Sequence, residues 1–167
     1  YHNSGDPTNN LADSKPIMPG HTEIIGFPST SMRITTNVDS TNYNLIHSNS
    51  SVASGSLNKA NEITVNALGT TSLYRSESLL ISADQKISGA SYADSDGYSA
   101  SPFLPTNMMK KKYMINTNSD YVAFASKLPG TIDVYSASQT IGVDTPVQTL
   151  TFSRSGANTN APYKARL

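Results

Sequence analysis

The feature that most constrains this chain is a two-residue alternation of apolar and polar side chains. It recurs in short runs, each closed by Gly, Pro, Asn or Asp. In SMRITTN, Met32 and Ile34 alternate with Arg33 and Thr35, and in NYNLIH, Tyr43 and Leu45 share a parity. In NEITVNALG, Ile63, Val65 and Ala67 alternate with Thr64 and Asn66, and Gly69 ends the run. Leu79, Ile81 and Ala83 repeat the pattern in SLLISADQK; KYMIN, DYVAFAS, GTIDVYS and TPVQTLTFS continue the series, with KLPG (Lys127–Gly130) as a tight turn expected to join DYVAFAS and GTIDVYS in a hairpin. Successive side chains of a strand point to opposite faces, so each run reads as a half-buried strand. No segment carries a 3.6-residue period, and FLPTNMMKKKY offers one helical turn with Thr106 or Asn107 as its cap. Short strands at a spacing of roughly 8 to 12 residues predict an all-β, antiparallel β-sandwich or jelly-roll-like fold with little or no helix.

Composition agrees with that reading. Hydrophobic residues make up 37% of the 167 residues and charged ones only 14%. Ser, Thr and Asn fill the difference and supply roughly a third of the chain. Their side chains compete for backbone hydrogen bonds, which weakens helices and favours turns and Thr-rich strand faces. The formal net charge is +0, so bulk electrostatics provides no attraction to nucleic acid. The one basic run, Lys110-Lys111-Lys112, reads as a solvated start to a strand that discourages edge pairing. There are no cysteines, which removes disulfides and thiolate chemistry. No apolar run approaches the roughly 18 residues that a membrane-spanning helix requires, so membrane insertion is not expected. The chain opens on Tyr1 without an initiating Met and is expected to be a processed product or part of a longer chain.

Prolines and polar tracts suggest the organisation. Residues 1–20 read as a polar arm or an edge segment. Pro16, Pro19 and Pro28 exclude central strands, so the region through Pro28 is expected to be edge strand and loop. Residues 21–153 form the sandwich, divisible near 70–80 into a partial and a full β-unit. A weak echo between Asp13-Ser14-Lys15-Pro16-Ile17 and Asp84-Gln85-Lys86-Ile87, each followed by Gly, motivates that division. Residues 154–167, SGANTNAPYKARL with its preceding Arg154, are apolar-poor and interrupted by Pro162. They are expected to be flexible or to be ordered by a partner.

Two long stretches carry a family likeness. SLYRSESLLISADQKISGASYADSDGYSASPFLP followed by YMINTNSDYVAFASKLPGTIDVYSAS resembles β-repeat units of marine phage structural proteins (fibre, appendage or decoration proteins) and similar bacterial surface proteins. The matching residues are Ser82–Gly89, Tyr121–Ser126 and Pro129–Tyr135, within a resemblance that runs over residues 72–138. After Gly20 no second copy of the YVAFAS strand and PGT hairpin appears. The resemblance implies a building-block role in a fibre, appendage or shell and carries over no catalytic residues.

Candidate chemistry is sparse. Asp94-Ser95-Asp96-Gly97 places acids at alternate positions before a glycine, a way of gathering the six to eight oxygens that calcium takes. An EF-hand reading fails, because the fifth and twelfth positions are Tyr98 and Pro105. A looser calcium site at Asp94 and Asp96, with Asp84 or Asp120 as a third carboxylate, competes with a plain turn inside one long connection, residues 91–105. Phe103 and Leu104 are expected to anchor that connection to the core. Tyr92 and Tyr98 flank the acids and are the candidates for glycan contact. His2, His21 and His47 stand apart in sequence and read as surface histidines rather than a zinc set. No G-x-S-x-G elbow and no phosphate-binding loop occurs. No catalytic residue and no cofactor other than calcium is therefore expected.

These readings converge on a non-enzymatic structural subunit of a virion or an extracellular, cell-surface assembly. Its partners would be copies of itself in a homo-oligomer or other structural proteins of the same assembly. The competing expectation is an adhesin or matrix-filament domain whose partners are surface glycans.

Overall fold

The structure, a computed structural model, describes residues 20–28, 31–50, 52–59, 77–93, 99–116 and 122–167. Their strands in chain order are β1 (His21–Gly26), β2 (Ser31–Thr36), β3 (Thr41–His47), β4 (Val52–Leu57) and β5 (Leu79–Ala93). They continue with β6 (Ser99–Pro102), β7 (Leu104–Pro105), β8 (Ala123–Ser126), β9 (Thr131–Val134), β10 (Gln148–Thr151) and β11 (Tyr163–Arg166). A single 3-10 turn, Thr106–Met108, is the helical segment among the described residues. It lies where the sequence offered one turn, but Pro105 occupies the cap and no side chain caps it. The fold is all-β and antiparallel, as the alternation predicts.

β5 organises the main sheet. One flank of it pairs with β3 through Leu79–Ala83 and with β2 through Ile87–Tyr92. The other pairs with β1 through Leu79–Ser82 and with β6 through Ala90–Ala93. β4 extends the sheet beyond β3, and β7 extends it beyond β1. Between these halves β5 turns a corner. On the β1 side the register jumps from Glu23↔Ser82 to His21↔Ile87, so the single residue Thr22 of β1 opposes four of β5, Ala83–Lys86. Such a mismatch bends a strand sharply. On the β2–β3 side the corner faces the excursion 37–40. There the buried hydroxyls of Thr36 and Thr41 lie 3.1 Å apart, and Thr36 Oγ1 donates to the Lys86 carbonyl at 3.1 Å. Asp84 accepts from the Asn42 backbone N–H at 2.9 Å and from Asn42 Nδ2 at 2.8 Å.

The bend lets one strand contribute to both sides of the core. Gly26 pairs with Leu79, and Gly89 lies ten residues further on, about 33 Å if the strand were straight. Yet a Cβ on Gly26 would sit 2.7 Å from Phe103 Cδ1, and one on Gly89 would sit 3.2 Å from Phe103 Cδ2. One phenyl ring thus touches both halves, and only glycine leaves room for it. Ile24, Met32, Ile34, Leu45, Leu57, Leu79, Ile81 and Ile87 complete this sandwich-like core around Phe103. Met32, Ile34, Leu45, Leu79 and Ile81 among them are the inward parities of SMRITTN, NYNLIH and SLLISADQK.

The C-terminal third forms a two-part ribbon. β9 pairs with β10 and β8 with β11, while Phe152 N–H donates to the Gly130 carbonyl at 2.9 Å between the two parts. β8 and β9 therefore follow one another along the same side of the ribbon. The hairpin expected across Lys127–Gly130 does not form: each strand takes a later segment as partner.

Other expectations change as well. β1 is not an edge strand, because it lies between β5 and β7 and ends at Gly26, ahead of Pro28. Residues 91–105 are not one long connection: Ser91–Ala93 extend β5 and pair with Ser99–Ser101 of β6. Phe103 is 1% exposed and anchors as expected, but Leu104 is 40% exposed. KYMIN forms no strand, since no other segment pairs with 112–116 among the described residues. NEITVNALG and the first copy of the echo lie outside the described residues. The segment read as a flexible or partner-ordered tail, 154–167, instead packs within the chain. β11 pairs with β8, Ala161 and Pro162 are buried, and Ser155 N–H donates to the Ser48 carbonyl at 2.8 Å.

Candidate functional site

The expected site residues are only partly placed. Asp94, Asp96 and Tyr98 lie outside the described residues, as does the side chain of Tyr92. The Tyr92 backbone sits in β5 between Ser31 and Ala100. Asp84, considered as a third calcium ligand, has both oxygens engaged by Asn42 at the β5 corner. Among the described residues no three His, Asp or Glu side chains converge. No helix among them is long and apolar enough to cross a membrane.

An apolar groove of about 680 Å³ lies between residues 101–115 and the strands β8 and β9. One wall is the extended chain that follows the 3-10 turn. It is pinned where Lys110 N–H donates to the Tyr113 hydroxyl at 2.8 Å. Beyond that pin Tyr113, Met114 and Ile115 project outward, with Met114 98% exposed. The opposite wall presents Phe124, Ile132 and Leu128. Ser126 fixes the Leu128 backbone twice, accepting from its N–H at 3.0 Å and donating to its carbonyl at 2.8 Å, and Leu128 remains 71% exposed. Soluble monomers rarely leave apolar side chains contiguous in this way. Lys110 and Lys111 border the groove and are exposed, without the strand expected to follow them.

A second concavity, of about 540 Å³, lies on the outer face of the main sheet under residues 158–160. Its end is closed by an ion pair, Lys127 Nζ to Glu23 Oε2 at 2.6 Å, and Thr106 donates to the same oxygen at 2.7 Å. Partial burial pushes the Glu23 carboxyl up, but the Lys127 and Thr106 hydrogen bonds and the Lys127 charge outweigh it. The net pKa is lowered from 4.5.

A third cluster is buried. Glu77 accepts from Lys164 Nζ at 2.5 Å through one oxygen and from the Ser48 hydroxyl through the other. His47, expected at the surface, is 2% exposed beside them. Burial pushes its pKa below 6.5, opposed by the weaker pull of the Glu77 charge. The cluster joins the last strand to the start of β5 and is structural in character. Sequence reading missed Glu77 and Lys164, which carry no motif and lie 87 positions apart. It also missed the groove, because KYMIN and KLPG read as strand and hairpin.

Comparison with known proteins finds no protein-family model, no curated protein and no solved structure that matches this chain.

Proposed function

We propose that this chain is a non-enzymatic structural subunit of a virion or extracellular assembly and acts by associating with copies of itself. The observation that carries the reading is the apolar groove bounded by Met114, Ile115 and Leu128, whose exposed side chains lose water on association. A formal net charge of +0 adds no long-range repulsion between copies. The ribbon edges support it further, since β9 and β10 have no other strand partner among the described residues and edges of this kind accept added strands. The likeness of Ser82–Gly89 and Pro129–Tyr135 to phage repeat units points the same way.

Sedimentation velocity over a concentration series tests the proposal. The native chain is expected to form defined oligomers, and Met114→Asp combined with Leu128→Asp is expected to leave it monomeric with its melting temperature unchanged. A native chain that stays monomeric at every concentration would overturn it, as would oligomers that survive both substitutions.

A further inference from the structure

The outer face of the main sheet holds two adjacent rows of opposite character. Cross-strand pairing sets Asn44 beside Ser82 and Ser82 beside Glu23, so one polar row crosses β3, β5 and β1. One step along the strands, Val52 lies beside Ile46 and Ile46 beside Leu80, an apolar row crossing β4, β3 and β5. Both rows share a face because their members are separated by two residues within each strand. Together they cross four strands, a length of about 14 Å.

Residues 158–160 form a wall over these rows, and the wall is held in place. Arg154 Nη1 donates to the Thr159 carbonyl at 2.6 Å and to the Ala161 carbonyl at 3.1 Å, while its guanidinium stacks 4.6 Å from the centre of the Tyr163 ring. Asn158 N–H donates to Ser50 Oγ at 3.1 Å, and Asn160 N–H donates to Asn158 Oδ1 at 2.9 Å. The cleft is thus formed before any ligand arrives, which lowers the ordering cost of binding.

We infer that this cleft binds a short neutral oligosaccharide. Among the described residues the side chains of Asn44, Ser82, Thr159 and Asn160 make no hydrogen bond, although all four line the cleft. Amides and hydroxyls both donate and accept, which matches the hydroxyl groups of a sugar. Val52, Ile46 and Leu80 offer the apolar surface on which the C–H face of a sugar ring rests. An anion is disfavoured, because the one lysine in the cleft is already paired with Glu23. An extended peptide is disfavoured, because the backbone groups of β3 and β5 under the cleft are committed to ladder bonds on both sides. The site is separate from the apolar groove and does not depend on self-association.

Titration of the isotope-labelled chain with maltotriose, cellotriose, mannotriose and chitotriose, followed by amide NMR shifts, tests this. At least one trisaccharide is expected to saturate, with shifts at Asn44, Ser82 and Asn160. Asn44→Ala with Asn160→Ala is expected to weaken binding about tenfold or more at an unchanged melting temperature, as the loss of two hydrogen-bonding side chains implies. Failure of all four sugars to saturate would overturn the inference. So would binding that the double variant retains, shifts confined to another face, or tighter binding of a sulfated trisaccharide than of its neutral parent.

Discussion

Lys164 and Glu77 meet at 2.5 Å across 87 positions of sequence, and their contact fastens the last strand to the head of the longest one. Glu77 retains 10% of its side-chain surface and Lys164 27%. Removing one member of a pair so little hydrated strands the other charge. Glu77→Ala is therefore expected to cost about 3 kcal/mol, near the low end for buried pairs because Lys164 keeps some water. Urea unfolding of Glu77→Ala, Lys164→Ala and the double variant measures this. The double variant should lose less than the two single losses added together; strict additivity would show that the contact carries no energy.

Phe103 is the packing centre of the bent sheet. Phe103→Ala is expected to cost about 3–5 kcal/mol, because the ring fills space that neither Gly26 nor Gly89 can close. Gly26→Ala should also destabilise, since its new methyl would sit 2.7 Å from the ring. A native melting temperature for Gly26→Ala would refute the tight packing assigned to Phe103.

The C-terminal excursion turns at Gly156, whose φ of 85° lies in the left-handed region. A side chain there costs roughly 1–2 kcal/mol in backbone strain alone. It would also meet the Cβ of Ser50 at 2.7 Å. Gly156→Ala is expected to raise hydrogen exchange selectively across 154–162 while leaving β2 and β3 protected. Uniform exchange throughout the chain would count against a locally docked excursion.

Stability is expected to depend on pH in two windows. His47 titrates near 6.5 when unfolded and lower when folded. Below 6.5 the unfolded chain therefore binds a proton that the folded chain resists. Its contribution is full at neutral pH and falls as acid is added. Glu23 is held below 4.5, so its contribution is complete above that value and is lost as the pH drops through the folded one. His47→Leu should flatten the fall of the denaturation midpoint just below pH 6.5 and leave the loss below pH 4.5 intact. A midpoint equally steep in the variant would remove His47 from the account.

Local alternation was enough to identify the inward residues of β2, β3 and the first half of β5, because parity is a property of neighbouring side chains. Met32, Ile34, Leu45, Leu79 and Ile81 are all fully buried. Partner choice is not a neighbour property. The β5 corner depends on Thr36, Thr41 and Asn42, which are distant in sequence from Asp84 and Lys86 and carry no motif. β8 and β9 looked like a hairpin because Leu128-Pro129-Gly130 is good turn chemistry, yet pairing with β11 and β10 prevailed. The polar cleft was hidden for the same reason. Asn44, Ser82 and Asn160 become neighbours only after three separate segments dock.

The many partners of β5 also set an order in time. Of the pairings in the main sheet, β3 with β4 is the only one among the described strands that needs no residue beyond 57. Among the described strands β1 and β2 have no partner until Leu79–Tyr92 have been synthesised. A nascent chain therefore carries Ile24, Ile25, Met32 and Ile34 unsheltered through a long stretch of translation, and closure must then span dozens of residues at once. Pairing between segments so far apart is expected to fold slowly and to leave apolar strands exposed meanwhile. Yield of soluble protein should consequently depend more on the rate of synthesis and on chaperone supply than on the stability of the finished fold.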